Sequence, residues 1–184
     1  ISIDHCLRSL LRKQQISPLL SSSSSTPLSH VLSVVLNLPT LNTWESGVLD
    51  EELNNGAICW LRNIDRKKWS LEIPYEVNGI TTSMFPDLVV VRADTDGYIF
   101  DILEPHDPSR KDNYPKAVGL AKFAERHWDK FGRIQLIRQK RGVDGREHFY
   151  RLDMEKTSIR NKIRGITSNE ELDRIFDEDA VRED

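Results

Sequence analysis

The sequence predicts an α/β domain with a central mixed β-sheet flanked by helices. Three observations predict it. Trp44, Val48, Leu49 and Leu53 form an apolar stripe at helical spacing ahead of several short β-rich runs. One run, Leu88-Val89-Val90-Val91, is apolar without alternation, as a strand covered on both faces would be. A second helical pattern then separates these runs from a last strand pair.

Taken in order, residues 1–16 hold a short amphipathic segment with Ile3, Leu7, Leu10 and Leu11 at helical spacing. Five consecutive serines, Ser21–Ser25, cannot pack a core and read as a flexible linker. Residues 28–42 are apolar without a clean period and read as a docking segment of a larger protein. Residues 1–40 are thus an N-terminal segment, 41–165 the core domain, and 166–184 an acidic C-terminal helix and tail.

In the core domain, the Trp44–Leu53 stripe is a helix stopped by Asn54-Asn55-Gly56. Strands are predicted at Ala57–Leu61, Trp69–Tyr75, Met84–Val91 and Tyr98–Glu104, with turns at Val77-Asn78-Gly79 and Thr95-Asp96-Gly97. The short link makes the third and fourth strands an antiparallel hairpin near the sheet centre. Tyr114–Phe131 is a helix with Ala117, Leu120, Ala121 and Ala124 inward, ended by Gly132. Ile134–Gln139 and His148–Leu152 form a hairpin. Short helices are expected at 156–164 and 168–176, and the last eight residues should fray.

The chain has 184 residues, a net charge of −3 and 30% charged residues, which suits a soluble domain. No apolar run approaches the ~20 residues of a membrane span, and a cytoplasmic location is expected. The chain begins with Ile, as a fragment or processed product would. Cys6 and Cys59 lie outside any metal-ligand spacing and suggest a reducing compartment, with Cys59 in the core. The net charge hides a split. Residues 133–164 carry ten Lys/Arg and four Asp/Glu, and residues 169–184 carry two Arg and eight Asp/Glu. A polyanion partner is therefore compatible with the near-neutral total, as is an ordinary solvated surface.

The chemistry concentrates in Phe85-Pro86-Asp87 and, seventeen residues after Asp87, Glu104-Pro105-His106. Both acids stand at ends of predicted neighbouring strands, where two carboxylates can share Mg²⁺ or Mn²⁺. Such a cation polarises a phosphate and activates water for phosphodiester cleavage. His106, Lys111 and Lys116 are candidates to orient the nucleophile or offset developing charge. The first helix carries Glu45, Glu51 and Glu52, of which Glu45 and Glu52 share a face, as an ordinary solvated helix face would also have it. No zinc spacing, nucleophile elbow or phosphate-binding glycine loop is present. His127 and His148 read as surface residues. Trp44, Trp60, Trp69 and Trp128 read as core and groove packing.

Pro86-Asp87 followed by Glu104-x-His106 resembles the PD-(D/E)XK (restriction endonuclease-like) nuclease superfamily, over about residues 41–140. More narrowly, Trp60–Asn63, Ile73–Tyr75, Phe85–Asp87, Asp101–His106 and Tyr114–Ala121 resemble C-terminal domains of bacterial helicase proteins similar to type III restriction enzyme subunits. The resemblance implies a metal-dependent DNA endonuclease domain of a helicase-containing restriction or phage-defence protein. The superfamily often adds a Glu from the first helix, and of Glu45, Glu51 and Glu52 the preferred one is Glu52. Asp87, Glu104 and Glu52 would be metal ligands, helped by the Pro105 carbonyl, with His106 or Lys116 assisting the nucleophile. The family pattern has Lys where this chain has His106. Three readings are open: His106 takes the role, Lys116 takes it, or the site binds nucleic acid without cutting. Arg138, Lys140, Arg141 and Arg146, with Arg160, Lys162 and Arg164, are the expected contacts to DNA phosphates. A non-catalytic nucleic-acid-binding or protein-docking module with the same fold is the alternative.

Overall fold

The computed structural model describes residues 40–182 except Asp96. The expectations for the N-terminal amphipathic segment, the serine linker and nearly all of the 28–42 segment lie outside those residues. The described elements are α1 (Thr43–Asn54), β1 (Ala57–Arg62), β2 (Ile73–Val77), β3 (Ile80–Met84), β4 (Leu88–Asp94), β5 (Gly97–Pro105), α2 (Asn113–His127), β6 (Ile134–Arg141), β7 (Glu147–Asp153), α3 (Thr157–Arg164), α4 (Asn169–Asp179) and β8 (Val181–Arg182).

Six strands form one mixed sheet in the order β1-β4-β5-β6-β7-β8, with β5 and β6 parallel and the other neighbours antiparallel. The predicted hairpin of third and fourth strands is β4–β5, in the sheet interior. Leu88, Val89, Val90 and Val91 are all buried, as their unbroken apolar run requires. Strand alternation divides the core. Val89, Ile102, Ile134 and Leu136 face α2, α3 and α4. Leu88, Val90, Leu103 and Ile137 face α1 through Val48 and Leu49. The predicted inward face of α2 is fully buried at Ala117, Leu120, Ala121 and Ala124.

The structure corrects several expected boundaries. Met84 does not begin the third strand; it closes β3, a strand the sequence hid because Ile80-Thr81-Thr82-Ser83 is mostly polar and exposed. β2 and β3 form a separate hairpin across Asn78-Gly79, both at positive φ, the turn that two-residue hairpins favour. The hairpin lies on α2 at Gly119, where an added Cβ would stand 2.5 Å from Tyr75 Cβ. The chain end is ordered further than expected. α4 runs to Asp179, buries Leu172 and Phe176 in the main core, and leads into β8 on β7. Cys59 is only half-buried because β1 is an edge strand. Trp128 is exposed rather than packed, and His127 leans on the Phe123 ring at 4.7 Å.

Candidate active site

Within β4 and β5 every paired position runs in one register, ending at Leu88↔Leu103. One step further, Asp87 faces Glu104. Alternation from Val89 and Ile102 turns both carboxylates toward the α2 face of the sheet. The Asp87 amide donates to Glu104 Oε2 at 2.9 Å, so the acid takes the place of a ladder carbonyl. The pair opens into a cleft of about 620 Å³. Lys116 and Arg110 line it from the α2 side, Arg62 and Glu45 from the α1 side, and His106 from the end of β5.

The electrostatics follow from this crowding. Burial, and then the negative charge of Asp87, pushes Glu104 up to about 8, although Lys116 and Arg110 oppose it. Burial also raises Asp87, while Arg62 pulls it down. At neutral pH the pair therefore keeps a proton that two isolated carboxylates would have lost. Lys116 is anchored by Asp112 at 2.9 Å, one helical turn before it. The Tyr75 hydroxyl donates to the same Asp112 carboxylate at 3.4 Å.

His106 is 3% exposed and its ring lies parallel to that of Phe176, 6.2 Å away. Burial, then Arg138 and Lys116, drives it down to about 3, so it is neutral at physiological pH. Its Nε2 is buried with no hydrogen-bond partner among the described residues. A neutral ring cannot supply the cation expected two positions after Glu104; Lys116 and Arg110 do so from the next loop and helix.

Glu52 is not in this cleft. It is 1% exposed at the opposite end of α1, paired with Arg151 at 2.7 Å and also with Arg92 and Arg133. Burial pushes its carboxyl up, but Arg151, Arg133 and Arg92 outweigh burial and hold it below the usual range. Asp101 completes the cluster, accepting from Arg92 at 2.8 Å and Arg133 at 2.6 Å. Glu45 is the helix acid that lines the cleft. Seven residues on one helix face still span ~10 Å along the axis, so only one of the two acids can reach the site. Glu45 also closes a capping box with Asn42 and pairs with Arg62, whose Nη2 lies 3.8 Å from Asp87 Oδ1.

The cations expected to contact DNA lie in different surroundings. Arg138 is 5% exposed, pairs with Asp173 at 2.5 Å and lies over the Phe176 ring. Lys140 pairs with Asp177 at 2.5 Å and Lys162 with Asp179 at 2.6 Å. Arg160 is spent on the Met154 and Glu155 carbonyls, and Arg164 pairs with Glu125. The acidic α4 thus pairs with three cations of the basic segment, Arg138, Lys140 and Lys162. Arg141 and Arg146 are exposed at the β6–β7 turn and are not among the residues lining the cleft. Lys111 is exposed and is not among the residues lining the cleft. Sequence reasoning missed Arg110 altogether. The Asp112–Lys116 spacing of four was the one available sign of an anchored lysine.

A divalent cation suits the acid pair. Two mutually repelling carboxylates, one kept protonated by the other, are the donors that Mg²⁺ takes in ones and twos. Among the described residues no group of three or more His, Cys, Asp or Glu is placed to hold a metal. Remaining positions would fall to water and substrate oxygens. Also among the described residues, no helix is long and apolar enough to cross a membrane.

The YagJ family model matches residues 29–183. The chain belongs to the YagJ family. Protein YagJ of Escherichia coli (strain K12) is 31% identical over 109 residues, which are 58% of this chain and 45% of that protein. The match thus spans less than half the length of that YagJ relative. No solved structure matches the chain. Membership in the YagJ family is a statement of kinship; what the cleft can do follows from its own side chains.

Proposed function

We propose that this chain is a metal-dependent endonuclease domain of the PD-(D/E)XK kind that hydrolyses DNA phosphodiester bonds. The observation that carries this reading is the Asp87–Glu104 pair, opposed across β4 and β5 in a cleft walled by Lys116 and Arg110. Asp87 and Glu104 would hold Mg²⁺ or Mn²⁺, with Glu45 and the Pro105 carbonyl at the rim. When bound, the cation lowers the pKa of water and polarises the phosphate. The water oxygen bonds to phosphorus and its proton leaves to solvent, while the bond to the leaving sugar oxygen breaks and that oxygen takes a proton from solvent to become a hydroxyl. Lys116 and Arg110 hold the phosphate oxygens and offset the charge that builds on them. Asp112 and Tyr75 position Lys116. The protein would work within a helicase-containing restriction or phage-defence polypeptide; the greater length of the YagJ relative is compatible with further domains.

The test is incubation of the purified chain with plasmid and Mn²⁺ beside Asp87→Ala and Glu104→Ala. Nicking by the wild type alone is expected; equal nicking by all three would sink the assignment. One observation favours a second reading, a nucleic-acid-binding or protein-docking module without cleavage: the neutral, buried His106 at the position of the expected lysine. That reading predicts salt-sensitive DNA binding that survives Asp87→Ala with no metal-dependent nicking, or, for docking, no DNA binding at low salt.

A further inference from the structure

A second cleft, of about 920 Å³, runs between the β2–β3 hairpin and α2. Its helix wall carries Lys122 and Arg126, four residues apart on α2, and then Lys130 on the turn that follows. Four residues advance ~6 Å along a helix, so these cations form a row. Lys68 faces them from the loop before β2. All four are exposed, and among the described residues none has an ion-pair partner. That contrasts with the basic segment of β6 and α3, where Arg138, Lys140, Lys162 and Arg164 each have a carboxylate partner. Glu125, which lies between Lys122 and Arg126 in sequence, is taken by Arg164. The hairpin wall holds Glu72 and Glu76, and Glu72 accepts a hydrogen bond from Ser83. Negative charge therefore sits on one wall and unpaired positive charge on the other. Half-buried His127, on the helix wall, is held down by burial and then by Lys130 and Arg126, as a locally positive field requires.

Tyr75 lines both clefts. The path from the cation row to the acid pair therefore passes one side chain. Gly119 sets the depth of the groove by letting the hairpin sit directly on α2.

We propose that the α2 row Lys122–Arg126–Lys130, with Lys68, is the groove that holds the DNA phosphodiester backbone and leads it past Tyr75 to the Asp87–Glu104 cleft. This rests on the nuclease reading for what happens at the far end of the groove, but not for binding itself. Each phosphate neutralised releases counterions, and log K falls with log salt by about 0.9 per phosphate on duplex DNA.

The test is anisotropy of a fluorescein-labelled DNA duplex titrated in EDTA across a KCl series. It compares wild type, the triple variant K122Q/R126Q/K130Q, the control R141Q/R146Q and the double variant D87A/E104A. The triple variant should lose roughly tenfold or more in affinity and about two to three units of salt slope. The three single Gln variants at these exposed positions should each lose about one unit of slope, should the triple fold poorly. The control should bind as wild type, and D87A/E104A, which removes carboxylates that repel phosphate in EDTA, should bind at least as tightly. Wild-type affinity in the triple variant, no binding by the wild type, or a loss confined to R141Q/R146Q would each overturn the groove. If the triple loses binding while the wild type fails to nick plasmid with Mn²⁺, the groove stands and the nuclease reading falls.

Discussion

Asp87 and Glu104 face each other one step beyond the last ladder pair of β4 and β5, and the backbone amide of the first donates to the carboxylate of the second at 2.9 Å. The contact ties the geometry of the two acids to the strand register. Neither can shift without the hairpin shifting.

Cation binding at this pair must displace the proton that the pair retains near neutrality. Mn²⁺ affinity should rise with pH up to about 8, the value to which Glu104 is pushed, and then level off. Calorimetry in buffers of different ionisation enthalpy should show proton release at pH 7. Glu104→Gln should abolish that release and weaken binding.

Stability without metal should show the opposite slope. Glu104 has its proton affinity raised by folding, so its contribution is fully present below the unfolded value of 4.5 and is lost as pH rises through about 8. Urea unfolding in EDTA should show stability falling across that window, with a slope below the ~1.4 kcal/mol per pH unit of a full one-proton difference. Glu104→Gln should flatten it. A wild-type curve already flat there would contradict the retained proton.

The two acids of α1 should behave differently. Glu52→Ala takes from Arg151, itself 1% exposed, its buried carboxylate and leaves it Glu51 and Gln135, so the loss should reach at most about 3–5 kcal/mol, that of a fully broken buried pair. Folding pulls the Glu52 pKa down, so its stabilisation is present above 4.5 and lost as pH falls through the folded value. Glu45→Ala loses a capping-box contact worth about 1 kcal/mol and should also change nicking through Arg62. Denaturant midpoints and nicking rates on both variants separate the roles.

Lys116→Met should lower nicking by roughly a hundredfold, the scale of losing one charge-stabilising donor. His106→Phe should keep most of the rate, because the ring is neutral and stacked on Phe176. A pH–rate profile with a limb near 6.5 that disappears in His106→Phe would instead make the histidine an acid or base.

Gly119→Ala places a methyl 2.5 Å from Tyr75 Cβ and 3.1 Å from the Pro74 carbonyl oxygen. The hairpin must then move off α2. A loss of about 1–3 kcal/mol is expected from overpacking, measured by thermal unfolding. DNA affinity should fall with it.

The sequence by itself determined the central hairpin, the helix faces and the acid pair. A continuous apolar run, a helical stripe and a short turn are local patterns, and strand alternation carries Asp87 and Glu104 to one face once the hairpin is granted. The polar β3 carried no such pattern and stayed hidden. Tertiary structure alone decided which acid of α1 serves the cleft, because a shared face says nothing about which end of the helix lies over the strand ends. It also decided the charge. Arg138 and Asp173, or Lys140 and Asp177, are far apart in sequence and meet only when α4 docks through Leu172 and Phe176. Ion pairs of that range follow from packing, which left Lys122 and Arg126 of α2 with no ion-pair partner among the described residues.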